Sequence, residues 1–320
     1  MSPERYVFPH KHLLGIGPLS VQDITAILDQ ARAFEEVCER PNIKIVPALR
    51  KKLVVNLFFE NSTRTRNSFE IAEKRLSAEI INFDADTSSL NKGETLMDTA
   101  MNLQAMHPDL IVMRHCAPGA HALLARHMQA SIVNAGDGAH EHPTQALLDA
   151  YTLRKRFGRL EGLKIAIVGD IRHSRVARSQ ITAYAALGAE VTLVAPATLL
   201  PPSLEGWPVA GVSHDLDGVL ATTDVISLLR LQAERGSGAY VPTMREYSAG
   251  YALTARRALQ LPPEAIILHP GPMVRGVEIA SEVAELPSAR ITDQVGNGVA
   301  VRMAVLFLLL GQGSLDGATP

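Results

Sequence analysis

Short apolar runs alternate along the chain with longer segments whose apolar residues recur at helical spacing. In the first half, the short runs are "KKLVVNLFFE", "EIINFD", "DLIVMRH" and "SIVNAG". They are rich in β-branched residues and lack strict alternation, as in strands that are covered on both faces. The segments between them, such as "STRTRNSFEIAEKRLS" and "GETLMDTAMNLQAM", are readable as helices. This rhythm predicts a parallel sheet built from β–α–β units.

A second series of the same kind follows, with strands in "LKIAIVGD", "EVTLVAP", "DVISLLRLQ" and "AIILHPGP". Before it, "HPTQALLDAYTLRKRFG" predicts a bridging helix over about residues 143–157. We therefore predict an α/β protein of two domains, each with a central parallel sheet flanked by helices. The last predicted helix, 296–311, has no strand after it and is expected to return to the first domain. The expected domains are 1–145 with 296–320, and 146–295.

The composition is that of a soluble globular protein, with 47% hydrophobic and 20% charged residues in a chain of 320. Because the net charge is only −2, a nucleic-acid or anionic-membrane partner has no global electrostatic support. The two cysteines, Cys38 and Cys116, are far apart and lack metal-ligand spacing. This pattern argues against a disulfide framework and suits a reducing compartment.

Neither end of the chain predicts a membrane or export segment. The N-terminal "MSPERYVFPHKHLL" lacks the charged-then-apolar pattern of a secretion signal. The longest apolar stretch, "VAVRMAVLFLLLG", is interpreted as too short to span a bilayer, and Arg302 interrupts it. We therefore expect a cytoplasmic protein.

The stretch "FFENSTRTRNSFE" places many hydrogen-bond donors directly after a predicted strand. Ser62 is a candidate N-cap for a helix whose apolar positions Phe69, Ala72 and Leu76 share one face. First-turn amides have no intrahelical acceptor, and the helix dipole adds about half a positive charge there. Together with the arginines and hydroxyl side chains of this turn, those amides predict an anion-binding site.

The alternative is a capped surface helix with two solvated arginines, Arg64 and Arg66. The helix dipole favours acidic residues in a first turn, however, so arginines there oppose it and a bound anion would compensate them. The stretch is not a Walker loop, since no glycine-rich run with Gly-Lys-Ser/Thr follows the strand.

Three other patterns suggest chemistry that the rest of the chain does not support. "HEH" at 140–142 could supply a pair of metal ligands, but no further Asp or His ligands occur at convincing spacing. "HCAPGAHA" lacks the arginine of a phosphatase loop, so Cys116 is expected to be a small buried residue. "VGD" at 168–170 lacks the Gly-x-Gly-x-x-Gly pattern of dinucleotide binding.

"FFENSTRTRNSFE" resembles the carbamoyl-phosphate signature of the aspartate/ornithine carbamoyltransferase family. The resemblance continues in order along nearly the whole chain, in "SSLNKGETLMDT", "VMRH", "HPTQALLD", "VGDIRHSR", "LLRLQAER" and "HPGP". It implies transfer of a carbamoyl group from carbamoyl phosphate to an amine, with release of phosphate. Such a reaction needs no metal or organic cofactor, because the acyl phosphate is already activated; catalysis is largely orientation and electrostatic stabilisation.

The resemblance assigns carbamoyl phosphate to the first domain. Its phosphate ligands would be Ser62, Thr63, Arg64 and Thr65. Arg66 is left open, because residues two apart on a helix point in different directions, and a structural salt bridge suits it equally. Arg114, at the end of a strand, matches the family arginine that contacts both phosphate and carbonyl; a surface ion pair is the alternative.

His142 and Gln145 resemble the family pair that meets the carbonyl oxygen and the carbamoyl nitrogen. A histidine at a helix start tends to stay neutral, so His142 is expected to donate a hydrogen bond rather than a proton. In "SSLNKGE", Ser88 and Lys92 match a mobile loop that reaches into a neighbouring subunit's site. The resemblance therefore implies a homotrimer with shared active sites. Arg64, Thr65, Arg114, His142 and Lys92 are the expected catalytic residues.

The second domain is expected to bind the acceptor amine. Arg175, Arg230 and Gln232 match the family residues that bind the two carboxylates of aspartate, and two guanidinium forks suit a dicarboxylate. In "HPGP", Pro270 is assigned to the carbamoyl group, and Gly271, Pro272 and Lys92 to aspartate. The ornithine enzymes typically carry a Ser-Met-Gly loop and a His-Cys-Leu-Pro motif, which this chain lacks.

The resemblance thus implies carbamoylation of the α-amine of L-aspartate, an early step of pyrimidine synthesis. One alternative is a carbamoyltransferase for another amino acid such as ornithine. Another is a catalytically idle scaffold that binds dihydroorotase, although the expected site residues are all present. A regulatory chain or dihydroorotase as partner of an active enzyme stays open.

Overall fold

A computed structural model describes residues 6–42, 44–84, 94–232 and 240–311 of the chain. The protein folds into two compact units, Met1–Tyr151 with Val295–Pro320, and Thr152–Gln294. Each contains one parallel sheet flanked by helices, which confirms the predicted fold class. The domain boundaries predicted from the sequence are 145/146 and 295/296, whereas the structure divides the chain after Tyr151 and after Gln294.

The first unit has a four-stranded parallel sheet in the order β2-β1-β3-β4. Its strands are β1 Leu53–Phe58, β2 Glu79–Asp84, β3 Leu110–His115 and β4 Ser131–Asp137. Its helices are α1 Val21–Glu39, α2 Thr63–Arg75, α3 Leu96–Gln104, α4 Ala120–Ala125, the start of α5 Pro143–Phe157 and most of α11 Ile291–Leu310. The predicted apolar face of α2 is confirmed, since Phe69, Ala72 and Leu76 are fully buried.

The second unit has a five-stranded parallel sheet in the order β7-β6-β5-β8-β9. Its strands are β5 Lys164–Val168, β6 Glu190–Val194, β7 Gly211–Ser213, β8 Val225–Leu228 and β9 Ile266–Leu268. Its helices are the rest of α5, α6 Arg175–Ala186, α7 Asp217–Leu220, α8 Met244–Tyr251, α9 Ala255–Ala258 and α10 Ser281–Ala284. The central strands β5 and β8 are buried along nearly their whole length, as their uninterrupted apolar runs predicted.

The C-terminal helix α11 returns to the first unit, as predicted. The Phe34 and Phe307 rings pack edge to face, with their centroids 5.6 Å apart. The helix begins at Ile291 rather than at 296, so it is longer than the apolar stretch "VAVRMAVLFLLLG" that it contains. By length and composition α11 qualifies as a membrane span, but most of it is buried inside the protein, as in the core helix of a folded domain.

Candidate active site

The head of α2 lies at the carboxyl end of β1. Ser62 is the N-cap, as predicted, with extended backbone at φ −156° and ψ 97°. Its hydroxyl makes no capping bond to the helix, and the first turn contains no acidic residue. The first-turn amides are therefore not satisfied by the usual side-chain cap, which leaves the positive end of the helix suited to an anion.

Arg114 brings a guanidinium to the same edge of the sheet. Its strand pairs with β1 so that Arg114 lies opposite Phe58, the last residue of that strand. Its Nη1 donates to Ser62 Oγ at 3.3 Å and to the Ala135 carbonyl at 3.4 Å. Its Nε lies 3.2 Å from Glu60 Oε2, so the alternative of an ion pair is also realised. The pair is half-buried, and its contact directs the guanidinium towards the head of α2.

The four predicted phosphate ligands are consecutive at the start of α2 but differ in exposure. Thr63 and Arg64 are exposed, Ser62 is half-buried and Thr65 is buried. Arg66 pairs with Glu70 one turn further on, with Nε 3.6 Å from Oε1. The salt bridge considered for Arg66 is therefore present. Ser88 and Lys92, in contrast, lie outside the residues that the structure describes.

A tight loop between β4 and α5 positions His142. Asp137 is buried at the end of β4 and accepts from the amides of Glu141 at 2.7 Å and Gly119 at 3.1 Å. It also lies 3.2 Å from His140 Nδ1, which accounts for the first histidine of "HEH". No cluster of three or more potential metal ligands occurs in the part of the chain that the structure describes.

His142 and Gln145 come from the start of α5, and both are buried. The NH₂ end of the Gln145 side chain donates a hydrogen bond to Asp149, one turn along the helix: Nε2 lies 2.9 Å from Asp149 Oδ1. Asp149 is fully buried. The structure thus places both predicted residues of the carbamoyl site on one short segment after β4, and β4 adjoins the strand that carries Arg114.

Cys116 follows β3 and is exposed, so its expected burial was wrong. The loop that contains it leaves the sheet edge instead of entering the core. The Ala117 amide donates to His115 Nδ1 at 2.9 Å, and burial lowers the pKa of that histidine.

In the second unit, the predicted acceptor residues follow strands that are neighbours in the sheet. Arg175 begins α6 after β5, and Arg230 and Gln232 come just after β8. Arg175 is buried, and Arg230 Nη2 donates to Gln232 Oε1 at 3.2 Å. Because the carboxyl ends of adjacent parallel strands meet at one edge, these motifs share that edge.

Asp170 connects the two motifs. Its Oδ2 accepts from the backbone N–H of Gln232 at 3.0 Å, and its Oδ1 lies 2.8 Å from His173 Nδ1. Asp170 is buried, so both contacts are shielded from water. The carboxylate at the end of "VGD" therefore has a structural use that needs no dinucleotide.

The "HPGP" turn follows β9, the strand next to β8. The His269 ring is buried; its Nδ1 accepts from the Gly271 amide at 2.9 Å, and its Nε2 lies 3.0 Å from Glu278 Oε1. Since Nδ1 accepts, the proton is on Nε2 and is donated to Glu278. Gly271 has φ +69° and a cis bond to Pro272. This buried pair fixes the backbone of the turn that contains Pro270, Gly271 and Pro272, the residues assigned to the substrates.

Sequence reasoning missed the acids that hold the predicted ligands. They are Glu60, Asp137, Asp149, Asp170 and Glu278. One had a readable signal: Asp149 is four residues after Gln145, on the same face of the helix. The others are brought to their partners by loops, and a pattern of apolar periodicity carries no information about them.

Comparison with known proteins decides the family. The profile described as "Aspartate/ornithine carbamoyltransferase, carbamoyl-P binding domain" matches residues 11–155. The profile described as "Aspartate/ornithine carbamoyltransferase, Asp/Orn binding domain" matches residues 161–309. The chain belongs to the aspartate/ornithine carbamoyltransferase family. Within the family, it is 58% identical over 301 residues to the aspartate carbamoyltransferase catalytic subunit of Thermobifida fusca, covering 94% of this chain and 96% of that protein.

Other members are similar over comparable lengths. The catalytic subunit from Syntrophotalea carbinolica is 55% identical over 97% of this chain and 98% of its own length. Among solved structures, the catalytic subunit of M. jannaschii aspartate transcarbamoylase has a TM-score of 0.84 at 35% identity, covering 96% of this chain and all of that one. The Trypanosoma cruzi enzyme with carbamoyl phosphate and aspartate has a TM-score of 0.85 at 31% identity, covering 93% and 96%.

Proposed function

We propose that this family member transfers the carbamoyl group of carbamoyl phosphate to the α-amine of L-aspartate, giving N-carbamoyl-L-aspartate and phosphate. The observation that carries the proposal is the contact of Arg114 with Ser62 at the uncapped head of α2. This contact brings the Arg114 guanidinium next to the first-turn amides of α2, so that both can bind the same anion. The relatives from Thermobifida fusca and Syntrophotalea carbinolica are aspartate carbamoyltransferase catalytic subunits, which favours aspartate as the acceptor.

The first unit binds carbamoyl phosphate. Ser62, Thr63, Arg64 and Thr65 hold the phosphate oxygens, with the first-turn amides of α2 behind them. Arg114 donates both to the phosphate and to the carbonyl oxygen, and His142 donates to that same oxygen. Gln145 meets the carbamoyl NH₂. Each donor aimed at the developing oxyanion is worth about 3 kcal/mol of barrier, as for other oxyanion donors.

The chemistry needs an unprotonated amine. Its nitrogen attacks the carbonyl carbon and forms the new C–N bond, while negative charge collects on the carbonyl oxygen beside Arg114 and His142. The bond between the carbonyl carbon and the bridging oxygen then breaks, phosphate leaves with the electron pair, and the amine gives up a proton to a phosphate oxygen. The chain's own groups orient the two reactants and stabilise charge.

The second unit binds aspartate. Arg175 and Arg230 each offer a planar fork to one carboxylate, and Gln232 adds an amide. Ornithine has one carboxylate and a second ammonium group, so a pair of arginines would repel part of it. The turn at Pro270, Gly271 and Pro272 supplies backbone carbonyls to the amine and to the carbamoyl NH₂.

The proposed assembly is a homotrimer in the cytoplasm, acting early in pyrimidine synthesis. Ser88 and Lys92 would reach from one subunit into the neighbour's site. A regulatory chain or dihydroorotase is a further candidate partner of this trimer.

A product assay tests the proposed function. Labelled carbamoyl phosphate is supplied with L-aspartate or, separately, with L-ornithine, and the carbamoylated amino acid is identified by chromatography. We expect N-carbamoyl-L-aspartate and no citrulline. Formation of citrulline alone would contradict the choice of amine, and absence of both products with folded protein would favour the idle scaffold.

A further inference from the structure

The amide of Gln145 has one end held by the protein. Its Nε2 donates to Asp149 Oδ1 at 2.9 Å, and both side chains are buried. An ionised carboxylate only accepts hydrogen bonds, so this contact requires the NH₂ end of Gln145 to face Asp149. The carbonyl end, Oε1, then faces away from Asp149. A carbamoyl NH₂ can only donate, so Oε1 is the end that matches it.

A buried cation on α11 supplies the charge that Asp149 needs. Arg302 is almost completely buried in the first unit. Burial lowers the pKa of its guanidinium to about 10, and the nearby charge of Asp149 opposes that shift. The guanidinium therefore stays positive at neutral pH. An isolated buried carboxylate is costly, so the nearby positive charge of Arg302 favours a carboxylate at Asp149 that accepts from Gln145.

Arg302 also touches the phosphate-binding helix. The guanidinium carbon lies 5.1 Å from the centroid of the Phe69 ring on α2. Room for this side chain comes from Gly298, where an added Cβ would stand 2.5 Å from Arg302 Nη1 and 3.2 Å from Leu148 on α5. One arginine from α11 thus lies against both helices that carry the predicted ligands of carbamoyl phosphate.

We propose that Asp149 and Arg302 are positioning residues of the reaction. Asp149 selects the orientation of the Gln145 amide, so that Oε1 accepts from the carbamoyl NH₂, and Arg302 holds Asp149 charged while joining α2 to α5. The inference rests on the proposed function, and neither residue touches substrate in it. Two neighbouring opposite charges with a structural role alone would affect stability but would not act through Gln145.

A double-mutant cycle separates these two roles. Asp149→Asn lowers kcat/KM for carbamoyl phosphate about 10- to 100-fold, because a misplaced group costs that much in a site built on orientation. Gln145→Ala lowers it as well. We expect the double variant to be no slower than Gln145→Ala, since Asp149 has then lost the group through which it acts. Losses that multiply in the double variant would overturn the inference.

The role of Arg302 is tested by removing its charge alone and then together with the charge of Asp149. Arg302→Met removes the positive charge near a buried carboxylate and lowers the thermal midpoint, whereas Asp149→Asn/Arg302→Met removes both charges and restores it. We expect the neutral pair to keep a reduced kcat/KM; full recovery of kcat/KM would overturn the inference. If Asp149→Asn does not fold, the neutral pair takes its place in the cycle with Gln145→Ala.

Two controls keep the outcomes apart. Arg290→Met removes a partly exposed arginine that pairs with Asp293 and should leave both stability and kcat/KM unchanged. The wild-type product assay is run first. If the wild type does not carbamoylate aspartate, the proposed function fails and the inference with it; if it does and the cycle is multiplicative, only the inference fails.

Discussion

Acidic side chains orient several of the predicted ligands, and Arg114 is the clearest case. Its guanidinium is shared between Glu60, Ser62 and a backbone carbonyl, so it is directed before any substrate arrives. Such preorganisation is what makes a donor to an oxyanion effective, because no reorganisation is needed when charge develops. Glu60, which neutralises Arg114, would thus contribute to the proposed role of that arginine.

Arg114→Ala should therefore lower kcat about 100- to 1000-fold with the fold intact, since Glu60 is partly exposed and can be solvated. Steady-state kinetics and circular dichroism measure the two effects. Arg66→Ala is the matched control, because that arginine pairs with Glu70 instead. Similar losses in the two variants would contradict the assignment.

Arg230→Ala should raise the KM for aspartate and leave the affinity for carbamoyl phosphate close to normal. The reason is that Arg230 lies at the end of β8 in the second unit, among the residues proposed to bind carboxylates. Isothermal titration with each substrate measures the split. Weaker carbamoyl-phosphate binding with unchanged aspartate binding would reverse the assignment of the two units.

Glu73 on α2 makes stability depend on pH. Burial raises the pKa of its carboxyl from 4.5 to about 7, although Asn56 Nδ2 donates to it at 2.8 Å. Nearby Glu70 raises the pKa further and Lys74 lowers it. Because the folded-state pKa is raised, the stabilising protonated form is present below pH 4.5 and is lost as the pH rises through 7.

Glu73→Gln should accordingly stabilise the protein at pH 8 by up to about 3 kcal/mol and change little at pH 4. Urea unfolding of the wild type and the variant at both pH values measures the difference. An equal effect of the substitution at both pH values would show that Glu73 does not titrate in this range.

At the scale of whole elements, the loop from β4 to α5 depends on a glycine. Gly138 has φ +49°, and an added Cβ would stand 2.7 Å from the Cys116 carbonyl oxygen. Gly138→Ala should lower stability by about 1–3 kcal/mol and reduce activity, since the same loop leads to His142. Gly158→Ala is the control, because Gly158 also has positive φ, at +76°, but open space around it. The denaturation midpoints and kcat of the two variants measure the contrast.

If Gly138→Ala and Gly158→Ala lose the same stability and neither loses activity, the loop does not position His142. Strain from the positive φ alone, without the backbone clash, would then account for both substitutions.

Elements and their order followed from the sequence, whereas their fine contacts did not. Periodicity predicted both parallel sheets, the cap at Ser62 and the buried face of α2, because those depend on neighbours within a few residues. Arg302 was interpreted only as an interruption of an apolar stretch. Its relation to Asp149 joins positions far apart in the chain, and only the tertiary fold brings them together. The early start of α11 was missed because residues 291–295 are mostly polar or small.

At the scale of the whole molecule, the proposal to test is that Lys92 acts across subunits. Lys92→Ala and Arg64→Ala should each be inactive as pure proteins. Co-refolded in equal amounts, they should recover about a quarter of wild-type activity, because one site in four then combines its own Arg64 with a neighbour's Lys92 in a closed oligomer. Light scattering should give the mass of three chains. No recovery in a trimer of the correct mass would contradict shared sites.

The claim on which all of this depends is that the head of α2, with Arg114, binds the acyl phosphate. The most direct measurement is a crystal structure with phosphonoacetamide, in which a methylene group replaces the bridging oxygen of carbamoyl phosphate. We expect the phosphonate on Ser62, Thr63 and the first-turn amides, with the carbonyl oxygen at Arg114 and the NH₂ at Gln145 Oε1. A phosphonate bound elsewhere, with the head of α2 holding only solvent, would contradict the account.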